Sequence, residues 1–499
     1  MARSGTLAYV RSEDAPRLPP PANMSGIYGW ARANLFSSLL SSVLTILLGA
    51  FAVWVIWGLL DFALFRAIWS GTDRNACLGE HLGACWPMVY DKLPQWIYGF
   101  YPIDQRWRVN LCFLTLAAGA IPMLMPSVPF KGPNAIYLFI FFPLIALILL
   151  TGGNLNFGPQ GYVSMVVFLL FLASLVPLIA FGVEDGISRN VIGLGLAALA
   201  LILWLASFAI TPIYVRFRDF DYAAIPLAIE VLSCLAGLFS LAVTVFGRKG
   251  RGMPVVAGWG ALLLAIMVAM FVLDIDFGLE RVETPQWGGF LVTMVVAITG
   301  IVTSLPLGIL LALGRRSKMP VVKFLSITFI ELIRAVPLIT VLFMSSVMLP
   351  LFLPPGVSFD KLLRALIGVA LFSSAYMAET VRGGLQAIPK GQYEGAQALG
   401  LSYWQMMYKI VLPQALKISI PNIVGNFISL FKDTTLVLII GLFDLLGIVQ
   451  SSLRDATWAT PVSAPTGYLS VALIYWVCCF GMSRYAAYTE RRLQTGHKR

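Results

Sequence analysis

Histidine is almost absent from this chain: there are two among 499 residues, His81 and His497, and neither lies in an apolar run. Histidine-based acid–base catalysis or a His-rich metal site has little to work with, and no metal site is expected. The dipeptide Gly-Lys does not occur, so there is no G-x-x-x-x-G-K-[ST] phosphate loop. If ATP drives this protein, a different subunit binds it. Charge is scarce as well, at 12% of residues. Four of the six cysteines, Cys112, Cys234, Cys478 and Cys479, fall in apolar runs and suit the role of small buried hydrophobes. Cys77 and Cys85 share a hydrophilic loop, and form a possible disulfide if that loop faces an oxidising compartment.

What the chain has in abundance is apolar surface: 59% hydrophobic residues and a mean hydropathy of +0.83. Runs of about 20 apolar residues, the length that crosses a bilayer core, recur throughout. A β-barrel would show weak ten-residue alternation instead. The expected fold is an all-α polytopic membrane protein with about twelve spans: 36–60, 108–126, 134–151, 162–182, 190–213, 224–246, 254–273, 290–313, 321–348, 362–382, 416–447 and 466–486. The stretch 416–447 is too long for one straight span, and a break is expected near Lys432-Asp433 or at Gly441. Pro306, Pro337 and Pro421 are expected to kink their helices.

The net charge of +11 sits in short clusters between spans, which reads as orientation and not as a nucleic-acid footprint. Arg248, Lys249 and Arg251, then Arg315, Arg316, Lys318 and Lys323, then the basic C-terminal tail all fall on one side if the N-terminus is cytoplasmic. Both termini are then cytoplasmic. Residues 1–35 read as a cytoplasmic tail without a cleavable-signal pattern, 36–286 as an extension of about seven spans with a large loop at 61–107, and 491–499 as a second tail. Polar and ionisable residues at membrane depth concentrate after residue 286, so function is expected in 287–490. No internal repeat is visible, which weakens an inverted-repeat transporter.

The polar segment 389–413 interrupts this apolar half. Pro389 suits the first turn of a helix, Gly400 suits a left-handed stop, and Ser402 with Gln405 makes a capping-box pattern for a second helix. Trp404, Met407, Tyr408 and Val411 are expected on one apolar face of that second helix. On shape alone this is either an ordinary interfacial loop or a docking hairpin.

The residue identities shift that balance. Glu394-Gly395-Ala396, Gly400-Leu401 and Ile410-x-Leu412-Pro413 resemble the E-A-A-x3-G-x9-I-x-L-P loop of ABC importer permeases, with Gly395 as the one departure. The flanks Ala375-Tyr376-Met377-Ala378-Glu379, Glu331-Leu332-Ile333-Arg334 and Asn426–Leu436 look like the polar amino acid permeases. Gly83-Ala84-Cys85-Trp86 and Phe100–Arg108 resemble the large M-type permease subunit of the general L-amino acid transporter of Gram-negative bacteria. The strong resemblance covers about residues 286–490, with a second patch at 83–110. It implies a C-terminal five-helix type I importer core in a bacterial inner membrane, with loop 61–107 in the periplasm. It also implies a shorter Q-type permease as heterodimer partner and two ATPase subunits that dock on the coupling loop and hold ATP and magnesium. A periplasmic binding protein would deliver an L-amino acid. This chain would hold no cofactor and catalyse nothing itself; lipid, and no nucleic acid, surrounds it.

A charge inside a bilayer marks a pathway by default. Counted from Val321 at about 1.5 Å per residue, Glu331 and Arg334 lie roughly 15–20 Å in, near the bilayer centre. Three residues apart, they can meet on one helix face. A free amino acid needs a cation or N–H donors for its carboxylate and oxygens for its ammonium. Arg334 or Lys432 can meet the first; Glu331, Glu379 or Asp433 can meet the second. Tyr376, Asn426, Ser429 and Thr434 belong to the same expected path. The competing reading is that Glu331–Arg334 and Lys432–Asp433 are internal pairs that fix packing. Glu379 is close enough to its span's end to brace the coupling loop instead, and Glu230 suits a packing or partner contact. The membrane carboxylates also allow an ion-gradient-driven secondary transporter as the alternative function.

Overall fold

The computed structural model describes residues 26–125, 127–155, 162, 165–170, 187–214, 224–245, 252–352 and 360–493. Its named helices, in chain order, are α1 (Gly26–Asn34), α2 (Leu39–Leu60), α3 (Trp86–Tyr98), α4 (Arg106–Leu124), α5 (Lys131–Ile136), α6 (Phe142–Thr151), α7 (Ile187–Tyr214), α8 (Ala224–Val245), α9 (Gly252–Asp274), α10 (Gly289–Arg315), α11 (Pro320–Ala335), α12 (Leu338–Phe343), α13 (Lys361–Gln386), α14 (Lys390–Ala398), α15 (Tyr403–Met406), α16 (Leu412–Asp433), α17 (Leu445–Ser452) and α18 (Ser463–Leu493). Among the described residues β-structure is limited to isolated bridges. The protein is all-α.

Among the described residues, seven helices are long and apolar enough to cross a membrane, or eight if the bent segment α11–α12 is one span. The expected spans 190–213, 224–246 and 254–273 correspond to α7, α8 and α9, which are 28, 22 and 23 residues long, and the expected span 162–182 lies largely outside the described residues. Four of the five expected C-terminal spans are present as long apolar helices, beginning with α10, and the fifth, 321–348, is the bent segment α11–α12.

The chain divides into two compact units, Met1–Val89 with Ala456–Thr466, and Tyr90–Asp455 with Gly467–Arg499. In the first, Ser38 caps α2 by accepting from the Ser41 N–H at 3.1 Å. No side chain of α2 is buried within the chain; a helix apolar on every face suits lipid. Beyond it, Ile68 donates its N–H to the Ala84 carbonyl and accepts from Trp86 N–H, and the Trp69 and Trp86 rings stack at 5.8 Å. Cys77 and Cys85 are joined by a disulfide, their Cα atoms 5.9 Å apart.

In the second unit α10 and α13 pack along their length, with α11 and α16 against both. Glycines permit the close approach: a Cβ on Gly308 would stand 2.7 Å from Met377, and one on Gly300 2.7 Å from Leu430. Gly289, with φ +64°, starts α10 so close to α3 that a Cβ there would lie 2.1 Å from the Trp96 carbonyl oxygen. One apolar core, including Tyr101, Val109, Leu291, Leu342 and Val369, fills the end of the bundle near α4 and α6. A second, including Leu313, Met377, Leu385, Met407 and Val411, lies under the segment 389–413.

The proline expectations divide. Val336 and Pro337 are extended, and α11 meets the helix that follows at 106°. Pro337 lacks an N–H and pushes Val336 out of the helical region, so the helix breaks instead of bending gently. Pro306 and Pro421 sit inside continuous helices. Within 416–447 the helix tightens from α to 3-10 after Asp433, over Thr434–Ile440, and stops at Gly441, which adopts φ +72°.

Candidate functional site

The polar segment 389–413 folds as a helical hairpin. Pro389 is the cap residue at the start of α14, with φ −58° and ψ 142°, where its missing N–H leaves no helical bond unmade. Gly400 stops the helix at φ +69°. Its N–H donates to the Gln397 carbonyl at 2.9 Å, and Leu401 N–H donates to the Ala396 carbonyl at 3.2 Å. These are the two bonds of a Schellman cap, which requires a left-handed residue at the Gly400 position. Ser402 and Gln405 then form both bonds of the capping box.

The second helix departs from expectation in two ways. Pro413 does not close the segment: α15 runs through a π turn at Met407–Val411 into α16, and one helical run extends from Tyr403 to Ile440. Pro413 lies inside that run and has no N–H to give, but the π turn directly before it widens the local bonding register, so the helix passes through it. The expected apolar face is also split. Met407 and Val411 are buried with Met406, whereas Trp404 and Tyr408 are 49% and 77% exposed. The π turn adds a residue to the local period and rotates the two pairs apart.

Ala396 is buried in the second core, and Leu401, Ile410 and Leu412 pack against it. Glu394 and Gly395 are not buried with it, and a Cβ on Gly395 would meet nothing within 4 Å. The glycine in place of alanine there is therefore not imposed by crowding within this chain.

The ionisable residues expected along one path separate into two groups. The first is a charge cluster on α10, α11 and α13. Arg315 Nη1 lies 2.8 Å from Glu331 Oε1 and 2.8 Å from Glu379 Oε1. Arg382 Nη2 is 2.6 Å from Glu379 Oε2, and Arg334 Nη1 is 3.9 Å from it. Glu331 thus pairs with Arg315 and not with Arg334. Arg315 is the last residue of α10, so the cluster stands at that helix's end and not midway along the bundle. The depth counted from Val321 assumed a straight span, and the break at Pro337 removes that assumption.

The second group lines a cavity of about 290 Å³ between α10, α13 and α16. Ser304 comes from α10; Phe372, Ser373, Tyr376 and Met377 from α13; Asn426, Phe427, Ser429, Leu430 and Asp433 from α16. The α16 residues repeat at helical spacing and so share a face. Asn426 Nδ2 donates to Thr380 Oγ1 at 2.8 Å, and the Arg334 guanidinium lies 5.5 Å over the Tyr376 ring. Asp433 and exposed Lys432 form no ion pair with each other among the described residues.

Of the residues expected on the path, the cavity brings together Tyr376, Asn426, Ser429 and Asp433. Glu331, Arg334, Glu379, Lys432 and Thr434 do not line it. Thr434 is buried, donating to the Phe431 carbonyl at 2.8 Å and standing 3.2 Å from the Tyr475 hydroxyl. Ser304 and Ser373 escape sequence reasoning. Both lie in apolar helical runs and hydrogen-bond back to their own helix, so only their place in the wall of one cavity distinguishes them. Glu230, outside this region, is buried and accepts from Ser207 at 3.3 Å.

Residues 304–495 match the family described as binding-protein-dependent transport system inner membrane component. An inner membrane amino-acid ABC transporter permease of Escherichia coli K12, YhdY, is 38% identical over 96% of this chain and 97% of its own length. A glutamate/glutamine/aspartate/asparagine transport system permease of Rhodobacter capsulatus, BztC, is 38% identical over 98% of this chain and 99% of its own. A probable glutamine ABC transporter permease of Bacillus subtilis, GlnP, is 36% identical over 41% of this chain but 92% of its own. A whole short permease thus corresponds to about two-fifths of the present sequence.

Proposed function

The chain belongs to the amino-acid ABC transporter permeases, and from that premise we propose how it works in its complex. It is the transmembrane permease subunit of an ATP-driven amino acid importer. The hairpin 389–413 is the surface on which an ATPase docks, and two such subunits, holding ATP and magnesium, serve a heterodimer of this chain with a shorter Q-type permease. A periplasmic binding protein delivers the substrate. Residues 287–490 form the working core, residues 36–286 an added membrane extension, and both termini face the cytoplasm.

The observation that carries this reading is the hairpin. It is anchored from beneath by Ala396, Met406, Met407 and Val411. Above, it presents Leu399, Tyr403, Trp404 and Tyr408, all exposed. Buried anchors below and large aromatic residues above make a firm base with an adhesive top. The cavity suits the cargo in size, at the lower edge of the roughly 300–1,000 Å³ usual for small-molecule sites. Asp433 supplies an oxygen pair for an ammonium, and the serine, tyrosine and asparagine groups supply neutral hydrogen bonds. An amide or acidic amino acid, as in the name of the Rhodobacter relative, is the substrate class proposed.

The test is copurification followed by transport. The tagged chain should bring down an ATPase subunit, and proteoliposomes of the complex should accumulate amino acid only when ATP is accessible to that subunit. Replacing Glu394 and Gly400 should abolish uptake while insertion persists. Uptake by the isolated chain under a proton or sodium gradient, without ATP, would refute the reading in favour of a secondary transporter.

A further inference from the structure

Arg315 and Arg316 are neighbours at one helix end, yet they hold different things. Arg315 Nη1 is shared between Glu331 on α11 and Glu379 on α13, at 2.8 Å from each. Arg316 Nη1 donates to the Tyr393 hydroxyl at 3.0 Å and to the Leu385 carbonyl at 3.3 Å. Its guanidinium carbon also lies 5.4 Å from the centre of the Tyr393 ring, a stacking contact that adds to the hydrogen bond. Tyr393 in turn donates to the same Leu385 carbonyl at 3.2 Å. One dipeptide therefore grips the hairpin helix α14 with one side chain and the charge cluster with the other.

The cluster borders the cavity. Tyr376 lines it and lies under Arg334; Glu379 follows one turn later on α13, and Leu385 lies about 9 Å beyond Glu379 at the helical rise. Thr380, next to Glu379, accepts from the cavity residue Asn426. Cavity, cluster and hairpin thus stand in order along one helix. A single Nη1 bridging two carboxylates is sensitive to position, because a charged hydrogen bond weakens steeply once its atoms separate. Its loss would remove the shortest charged link between α11 and α13, leaving the looser hold of Arg334 on Glu379 and the Tyr376 ring, and α11 has a break at Val336–Pro337 about which to turn.

We propose that Arg315 and Arg316 are a positioning joint for transport: Arg316 senses displacement of the hairpin through Tyr393, and Arg315 converts it into release of Glu331 and Glu379 beside the cavity. The proposal rests on the hairpin being the ATPase dock. It separates from that reading because the joint acts after docking.

The experiment uses the complete complex in proteoliposomes, with three readouts: ATPase copurified, ATP hydrolysed, and amino acid moved per ATP. Arg316→Ala should keep the ATPase bound and hydrolysing within about twofold, while transport per ATP falls about fivefold or more, the scale of a typical coupling energy. Tyr393→Phe, a mild change that keeps the ring, should lower the same ratio less. The double variant should be no worse than Arg316→Ala alone, because both substitutions cut one link. Unchanged transport per ATP in Arg316→Ala, or losses that multiply in the double variant, would overturn the joint. So would loss of ATPase binding in Arg316→Ala, which assigns Arg316 to mounting the hairpin. Failure of the unaltered chain to bring down an ATPase would overturn the docking reading and the joint with it.

Discussion

Asp433 offers the sharpest test of the cavity. Among the described residues it is the one acidic side chain that lines it, and it takes part in no ion pair among them. Replacing it with asparagine keeps the side chain's shape and one oxygen while removing the charge. A hydrogen bond to a charged group contributes about 1.5–3 kcal/mol net. Asp433 is only partly buried, so water screens the interaction and the lower part of that range applies, about 1.5–2 kcal/mol. At about 1.4 kcal/mol per factor of ten, Asp433→Asn should weaken amino acid binding about tenfold to thirtyfold. The assay is equilibrium binding of a radiolabelled amino acid to the purified permease complex without the binding protein. Asp104→Asn is the control: it is exposed, lies outside the cavity lining and belongs to no part of the proposed machinery, and should change affinity no more than about twofold, the usual scale for a remote site. Equal affinity for Asp433→Asn and the unaltered protein, or an equal loss in Asp104→Asn, would refute the assignment of Asp433 as the ammonium partner.

Trp404→Ala and Tyr408→Ala should each reduce ATPase copurification about tenfold, as truncating an interface aromatic often does. They should leave thermal stability unchanged because both residues are largely exposed; a fall in stability would place them in the packing instead. Cys77→Ser should cost about 2.5 kcal/mol by the loop-entropy relation for a separation of 8 residues, read as a lower unfolding midpoint that reducing agent reproduces in the unaltered protein. Lys92 loses solvation on burial, but its ion pairs with Asp455 and Asp91 more than compensate and hold its ammonium above the ordinary 10.5. A raised ammonium pKa gives stability that is complete below the unfolded value and lost as pH rises through the folded one. Asp455→Asn should therefore cost up to about 1 kcal/mol at neutral pH, and the difference should close only in alkali beyond 10.5; no difference at neutral pH would show that the pair contributes nothing.

Much of the hairpin was legible because its signals are local. Gly400, Ser402 and Gln405 specify backbone bonds within a few residues of themselves, and all of those bonds form. The same holds for Gly441 and for the proline break at Pro337, each of which acts on its immediate neighbours. The π turn at Met407–Val411 has no such signature. It arises where α15 joins α16 over the second core, and it decides that Met407 is buried while Tyr408 faces out. Ser304 and Ser373 were illegible for a related reason: a serine in an apolar helix that bonds its own backbone looks the same whether it faces lipid, a neighbour or a cavity.

The charged residues show where one-dimensional reasoning fails and why. Spacing put Glu331 and Arg334 on one face, and that inference concerns only one helix. The partner that Glu331 takes is Arg315, sixteen positions away at the end of α10, because α11 packs against that helix and stops at the Pro337 break. Arg334 instead reaches Glu379 and the Tyr376 ring. Once Glu379 is held by Arg315 and Arg382 at hydrogen-bonding distance, it has little capacity left for a substrate ammonium. Asp433, with Lys432 turned to the exposed side of α16, keeps its oxygens available to the cavity. The same residue types therefore divide by what their neighbours leave unsatisfied: carboxylates already matched by arginine hold helices together, and the unmatched one in the cavity wall is left to meet a cargo.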